Sequence, residues 1–156
     1  MTAVAVGYIG LFIASAVTDV LWLRIPNVLV LVLVALFALA CVLNPPQALV
    51  WNHIAPAVVV FALMTVLFVL GQMGGGDVKL LAAAVLWAGF SALGPFLIAL
   101  AVYGLGAILI FTVFRAQVAA TLAWAGVPVP VSLETGKSIP YGVVIAAAAL
   151  SVGPGF

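Results

Sequence analysis

From Ile25 to Gly76 the chain carries no formally charged side chain, and a second uncharged run covers residues 80–114. Runs of that length cannot be wrapped in polar surface. Soluble domains carry about 25% Asp, Glu, Lys and Arg; here those residues make up 4% and the hydrophobic set 69%. Mean hydropathy is +1.52. This balance excludes a soluble globular enzyme, a nucleic-acid binder and a disordered chain, and it points to an all-α integral membrane protein. At roughly 20 residues per span, about six transmembrane helices fit into 156 residues. Little remains beyond short loops, so residues 1–156 read as one polytopic domain. A net charge of +1 implies no strongly acidic or basic partner.

Charges, prolines and glycines divide the spans. The first apolar run covers about residues 3–23, with Asp19 in its last turn or so and Arg24-Ile25-Pro26-Asn27 after it. No Lys or Arg precedes Thr18, so the run lacks the basic start of a cleaved signal peptide and reads as a permanent span. Asn44-Pro45-Pro46-Gln47 separates a second span near 26–43 from a third near 54–71, where Pro56 suits a first helical turn. Gly71 to Lys79 holds four glycines, costly inside a helix, and reads as a loop. Gly94-Pro95 then splits a fourth span (78–93) from a fifth (96–114). The stretch through Trp124 either extends that helix or lies in the interface. A short sixth run covers 139–152. Cys41, the lone cysteine, forms no internal disulfide or CxxC site and reads as a small buried hydrophobe.

Six spans alternate sides and leave both termini together. Arg24, Lys79, Arg115 and Lys137 then all fall on one side, which the positive-inside rule makes cytoplasmic, so both termini face outward. In this topology Asp19 and Asp77, 58 residues apart, share one leaflet. An Asp at the centre of a span costs about 2.5–3.5 kcal/mol on insertion scales, so both need a reason. Two adjacent carboxylates share one proton. The ionised one activates water and the protonated one polarises a peptide carbonyl, with no metal or cofactor. His53, the single histidine, falls on the opposite side as an interfacial residue, which leaves no His-based triad or metal site. The tryptophans read as interface or packing residues. Other readings stand beside this one. Asp19 can be a solvated boundary residue paired with Arg24. Asp77 can be an N-cap. The two together can form a proton relay in a small transporter.

The motifs add a resemblance. Asp19 followed by Arg24-Ile25-Pro26-Asn27, then Gly74-Gly75-Gly76-Asp77-Val78-Lys79, then Ile139-Pro140-Tyr141-Gly142 resembles the type IV prepilin peptidases. It is most similar to the small members serving tight-adherence (Flp-type) pili. The GxGD element also resembles that of presenilin-type proteases. The resemblance implies an aspartyl endopeptidase of the bacterial inner membrane that cuts the short basic leader from a prepilin or pseudopilin, usually after a glycine, at the cytoplasmic face. It implies Asp19 and Asp77 as the catalytic pair. Arg24, Pro26, Asn27, Gly74, Gly76, Lys79, Pro140, Tyr141 and Gly142 become supporting or substrate-binding residues. No cofactor is implied; membrane lipid and pilus-assembly machinery are the other expected partners. Larger members carry a cytoplasmic region with paired CxxC motifs and also methylate the new N-terminus; this chain has neither that region nor those cysteines, so methylation is not implied. A proton-coupled transporter or pilus-assembly scaffold is the alternative.

Overall fold

A computed structural model describes residues 2–43, 50–134 and 138–154. Among them the regular structure is entirely helical: α1 (Thr2–Trp22), α2 (Asn27–Leu43), α3 (Trp51–Val69), α4 (Gly75–Trp124), a short 3₁₀ helix (Val131–Leu133) and α5 (Tyr141–Val152). In hydrocarbon a backbone must satisfy its own hydrogen bonds, which a helix does within one segment. Three helices, α1, α3 and α4, are long and apolar enough to cross a membrane, while α2 and α5 are shorter apolar helices. The loop expected at Asn44–Gln47, and with it Gly136 and Lys137, lies outside the described residues.

The helix ends follow local chemistry. Leu23 takes a left-handed φ of 50° as α1 ends, its N–H bonding the Asp19 carbonyl at 2.8 Å. Pro26 disfavours helix at Ile25, and α2 starts just after it. Gly71, at φ 71°, closes α3 in a Schellman arrangement, with Gly71 N–H to Phe68 O and Gln72 N–H to Leu67 O, both 2.9 Å.

Three boundaries differ from the sequence expectation. Helix α4 already starts at Gly75, so Gly75 and Gly76 are helical and Gly74 is the N-cap. Helix α3 starts at Trp51, leaving Pro56 inside it rather than in its first turn. The break expected at Gly94-Pro95 falls instead at Gly89, where φ 63° and ψ −176° divide α4 into a first limb (residues 75–88) and a second (residues 90–124). Proline removes one backbone bond near the start of the second limb, whereas the Gly89 torsions interrupt the whole ladder. Of the two options for the stretch before Trp124, the helix extension holds, and the second limb runs about 50 Å at 1.5 Å per residue.

His53, expected at the interface, is 1% exposed. Its Nδ1 lies 3.0 Å from the Leu86 carbonyl, a group the break at Gly89 releases from the helical ladder. A side chain on Gly89 would collide with the imidazole, its Cβ only 2.7 Å from Nδ1. Trp87 anchors the same region from the other side. Its indole N–H donates to the Leu33 carbonyl at 3.1 Å, and its ring packs on Tyr8 and Phe37 at 4.9 and 5.6 Å. The other three tryptophans, Trp22, Trp51 and Trp124, are exposed.

The first limb of α4 and α5 form the interior. Val78, Leu80, Leu81, Ala84 and Val85 are buried on the limb, and Ile145, Ala146, Ala148 and Ala149 on α5. The alanines let α5 approach both α1 and α4 closely. The inward stripe of α1 reads Tyr8, Phe12, Ser15, Asp19, at helical spacing. Asp19 is the polar end of a core-facing row. Tyr8 closes the opposite end, its hydroxyl donating to the Ala149 carbonyl at 2.7 Å.

Candidate active site

Asp19 is 5% exposed. Its Oδ2 accepts the backbone N–H of Gly142 at 2.7 Å, an unsatisfied amide of the first turn of α5. A methyl group on Gly142 would stand 2.8 Å from that oxygen and 2.9 Å from Ile25 Cδ1. Only glycine lets α5 come this close to α1. Pro140, fully buried, is the N-cap. The solvated-boundary reading of Asp19, paired with Arg24, therefore gives way: the carboxylate is buried on a backbone amide and Arg24 is exposed.

Asp77 occupies the third helical position of α4, not the cap itself. The Gly74 backbone N–H reaches its carboxylate, one half of a capping box. A methyl on Gly74 would stand 2.9 Å from Asp77 Oδ2, and one on Gly76 would stand 3.2 Å from Ile25 Cβ. Asp77 Oδ1 is buried and accepts no hydrogen bond among the described residues. A buried carboxylate oxygen without a donor is costly and is available to a reactant.

The two carboxylates interact electrostatically and share the linings of two cavities. One, about 530 Å³, is mostly apolar, with Met64, Leu97, Leu100 and Tyr141 in its wall. The other, about 490 Å³, lies between the Arg24–Asn27 segment and the start of α4 at Gly74–Gly76. The structure thus brings together Asp19, Asp77, Gly74, Gly76, Arg24, Pro26, Asn27, Pro140, Tyr141 and Gly142.

Lys79 is placed apart. Two residues beyond Asp77 it points to another face of the helix, where Nζ donates to Asn27 Oδ1 at 3.0 Å. That bond joins two of the sequence motifs and ties the start of α2 to α4. Arg115 also has a structural partner: Nη2 donates to the Ser132 carbonyl at 2.6 Å, holding the 3₁₀ helix to the second limb. Among the described residues no three His, Cys, Asp or Glu side chains gather as a metal site would require.

Ile25 escaped the sequence reading as a site residue. It is the first letter of Ile25-Pro26-Asn27, yet only the fold shows it wedged between Gly76 and Gly142. The cavity-lining Met64, Leu97 and Leu100 carried no signal, because one apolar residue in a span looks like another.

The site is thus a pair of carboxylates, each on a backbone amide, inside an all-helical apolar bundle. Comparison with known families supplies the class. The sequence model of the type IV leader peptidase family matches residues 6–152, nearly the whole chain, and the chain belongs to that family. Its members are aspartic peptidases of the prepilin peptidase type, with prepilin-type proteins as substrates. Searches of curated proteins and of solved structures returned no match.

Proposed function

We propose that this chain is a multi-pass peptidase of the bacterial inner membrane that removes the short basic leader from Flp-like prepilins at the cytoplasmic face, with Asp19 and Asp77 as its catalytic pair. The observation that carries the reading is the shared cavity lining of two carboxylates 58 residues apart in sequence. The ionised carboxylate takes a proton from water as the water oxygen attacks the scissile carbonyl carbon. The protonated partner donates to the carbonyl oxygen. When the tetrahedral intermediate collapses the C–N bond breaks, and a carboxyl proton passes to the leaving amine. Gly142 N–H and Gly74 N–H hold the two carboxylates in position throughout.

In this reading α1, α2, α3, the two limbs of α4 and α5 are the six transmembrane elements of a single domain. Arg24, Lys79, Arg115 and Lys137 face the cytoplasm and both termini face outward. The chain carries leader cleavage, and N-methylation is not implied. A transporter relay would need groups stepped across the membrane, whereas Asp19 and Asp77 meet at one cavity.

Asp19→Asn and Asp77→Asn, each purified and assayed on a full-length prepilin, should lose cleavage by about 10²–10⁴-fold or more, the usual contribution of a positioned acid or base. An amide cannot share the proton. Near-native cleavage by either variant would sink the proposal.

A further inference from the structure

The carboxylates stand between two unlike compartments, and that asymmetry says how a substrate reaches them. The compartment bounded by the Arg24–Asn27 segment and the start of α4 at Gly74–Gly76 sets Arg24 and Asn27 beside the carboxylates, together with Leu23, Ile25 and Pro26. The larger chamber is walled by Val60, Met64 and Leu67 of α3 and by Leu97 and Leu100 on the second limb of α4. Its volume, about 530 Å³, falls within the roughly 300–1,000 Å³ of ligand-sized pockets. Among the described residues α3 and α5 do not pack against each other. Leu97, at the chamber wall, is 47% exposed. Leu97 therefore puts this wall of the chamber at the outer apolar surface of the helices, away from the Arg24–Asn27 segment.

A second apolar cavity of similar size lies between α2 and α3, lined by Leu31, Val34, Phe61 and Leu86. It contains neither aspartate. Of the two apolar cavities, only the first leads from the lipid-facing surface to both carboxylates.

Resting on the peptidase reading above, we propose that an apolar segment of the substrate enters sideways between α3 and the second limb of α4, and that Met64, Leu97 and Leu100 select the side chain seated beside the scissile bond. The polar flank of the cut bond then lies toward the Arg24–Asn27 compartment, so the chain crosses the carboxylate pair on its way from one compartment to the other. Met64 suits this role because an unbranched thioether adapts to varied apolar partners.

Two measurements test the route. Photoreactive benzoylphenylalanine introduced at Met64 or Leu97, in an Asp77→Asn background that retains uncleaved prepilin, should crosslink to it. The same group at Leu31 or Phe61 should not. Separately, Leu100→Trp should slow cleavage of a prepilin bearing Phe after the scissile bond at least about tenfold more than cleavage of the same prepilin with Ala there, in keeping with the 10–200-fold that one misfit apolar group costs in a pocket. Crosslinks from Leu31 and Phe61 alone, or an equal loss on both substrates, would overturn the entry route while the native chain still cuts. A native chain that cuts neither precursor would instead overturn the peptidase reading itself.

Discussion

Gly142→Ala perturbs the closest packing in the site. The new methyl would stand 2.8 Å from Asp19 Oδ2, 2.9 Å from Ile25 Cδ1 and 3.1 Å from Asp19 Cβ. None of these can be relieved by swinging the end of a long side chain, since Asp19 and Ile25 are themselves buried. The start of α5 must move away from α1, and that movement lengthens the 2.7 Å bond from Gly142 N–H to Asp19. A hydrogen bond to a charged group contributes about 1.5–3 kcal/mol, and overpacking a filled core costs about 1–3 kcal/mol. The same shift relieves the clash and breaks the bond, so the two costs do not add and the loss of the hydrogen bond sets the scale. About 1.5–3 kcal/mol of misplacement corresponds to roughly a 10- to 150-fold loss of cleavage, at about 1.4 kcal/mol per factor of ten. The assay is the initial rate of leader removal from a full-length prepilin in detergent, alongside thermal unfolding of the variant. Gly10→Ala is the matched control: nothing lies within 4 Å of its added methyl, and a helical alanine is favoured over glycine by about 1 kcal/mol. It should cleave like the native chain and unfold no earlier. Cleavage by Gly142→Ala within threefold of native would refute the claim that close approach of α5 positions Asp19.

Three further outcomes are expected. A pair that works with one proton is active only between its two macroscopic pKa values, giving a bell-shaped pH–rate profile. Lys79→Met should leave the basic limb of that profile in place, because the ammonium bonds Asn27 rather than the carboxylates; a displaced limb would show that it acts on the pair. Gly89→Ala should destabilise the chain by about 2 kcal/mol or more, through a left-handed φ and a 2.7 Å contact with His53. Adding His53→Ala should cost less than the sum of the single changes, and strict additivity in detergent unfolding would deny the contact. In a Cys41→Ser background, a cysteine at Gly153 should react with an impermeant thiol reagent from outside, and one at Gln72 only after the membrane is opened. Reaction of both from the same side would reject the proposed topology.

The membrane class of this chain follows from composition alone, because 4% charge leaves no way to cover a soluble surface. The two aspartates stood out for the same reason: an ionisable group near an apolar span has few inexpensive explanations. The motif glycines were legible as supporting residues through the resemblance, though not the close approaches they make. Only the tertiary structure shows that Gly142 admits Asp19, that Gly76 admits Ile25, and that Asp77 sits three positions inside a helix capped by Gly74. The helix break is where local reading failed. Gly94-Pro95 carries the stronger breaking signal along the chain, yet the ladder opens at Gly89, because a buried histidine on another helix takes up the carbonyl released there. Hydropathy reports whether a segment lies in lipid or protein rather than water. It does not report which apolar face meets which neighbour, and that pairing decides where the helix breaks and which cavities the two carboxylates share.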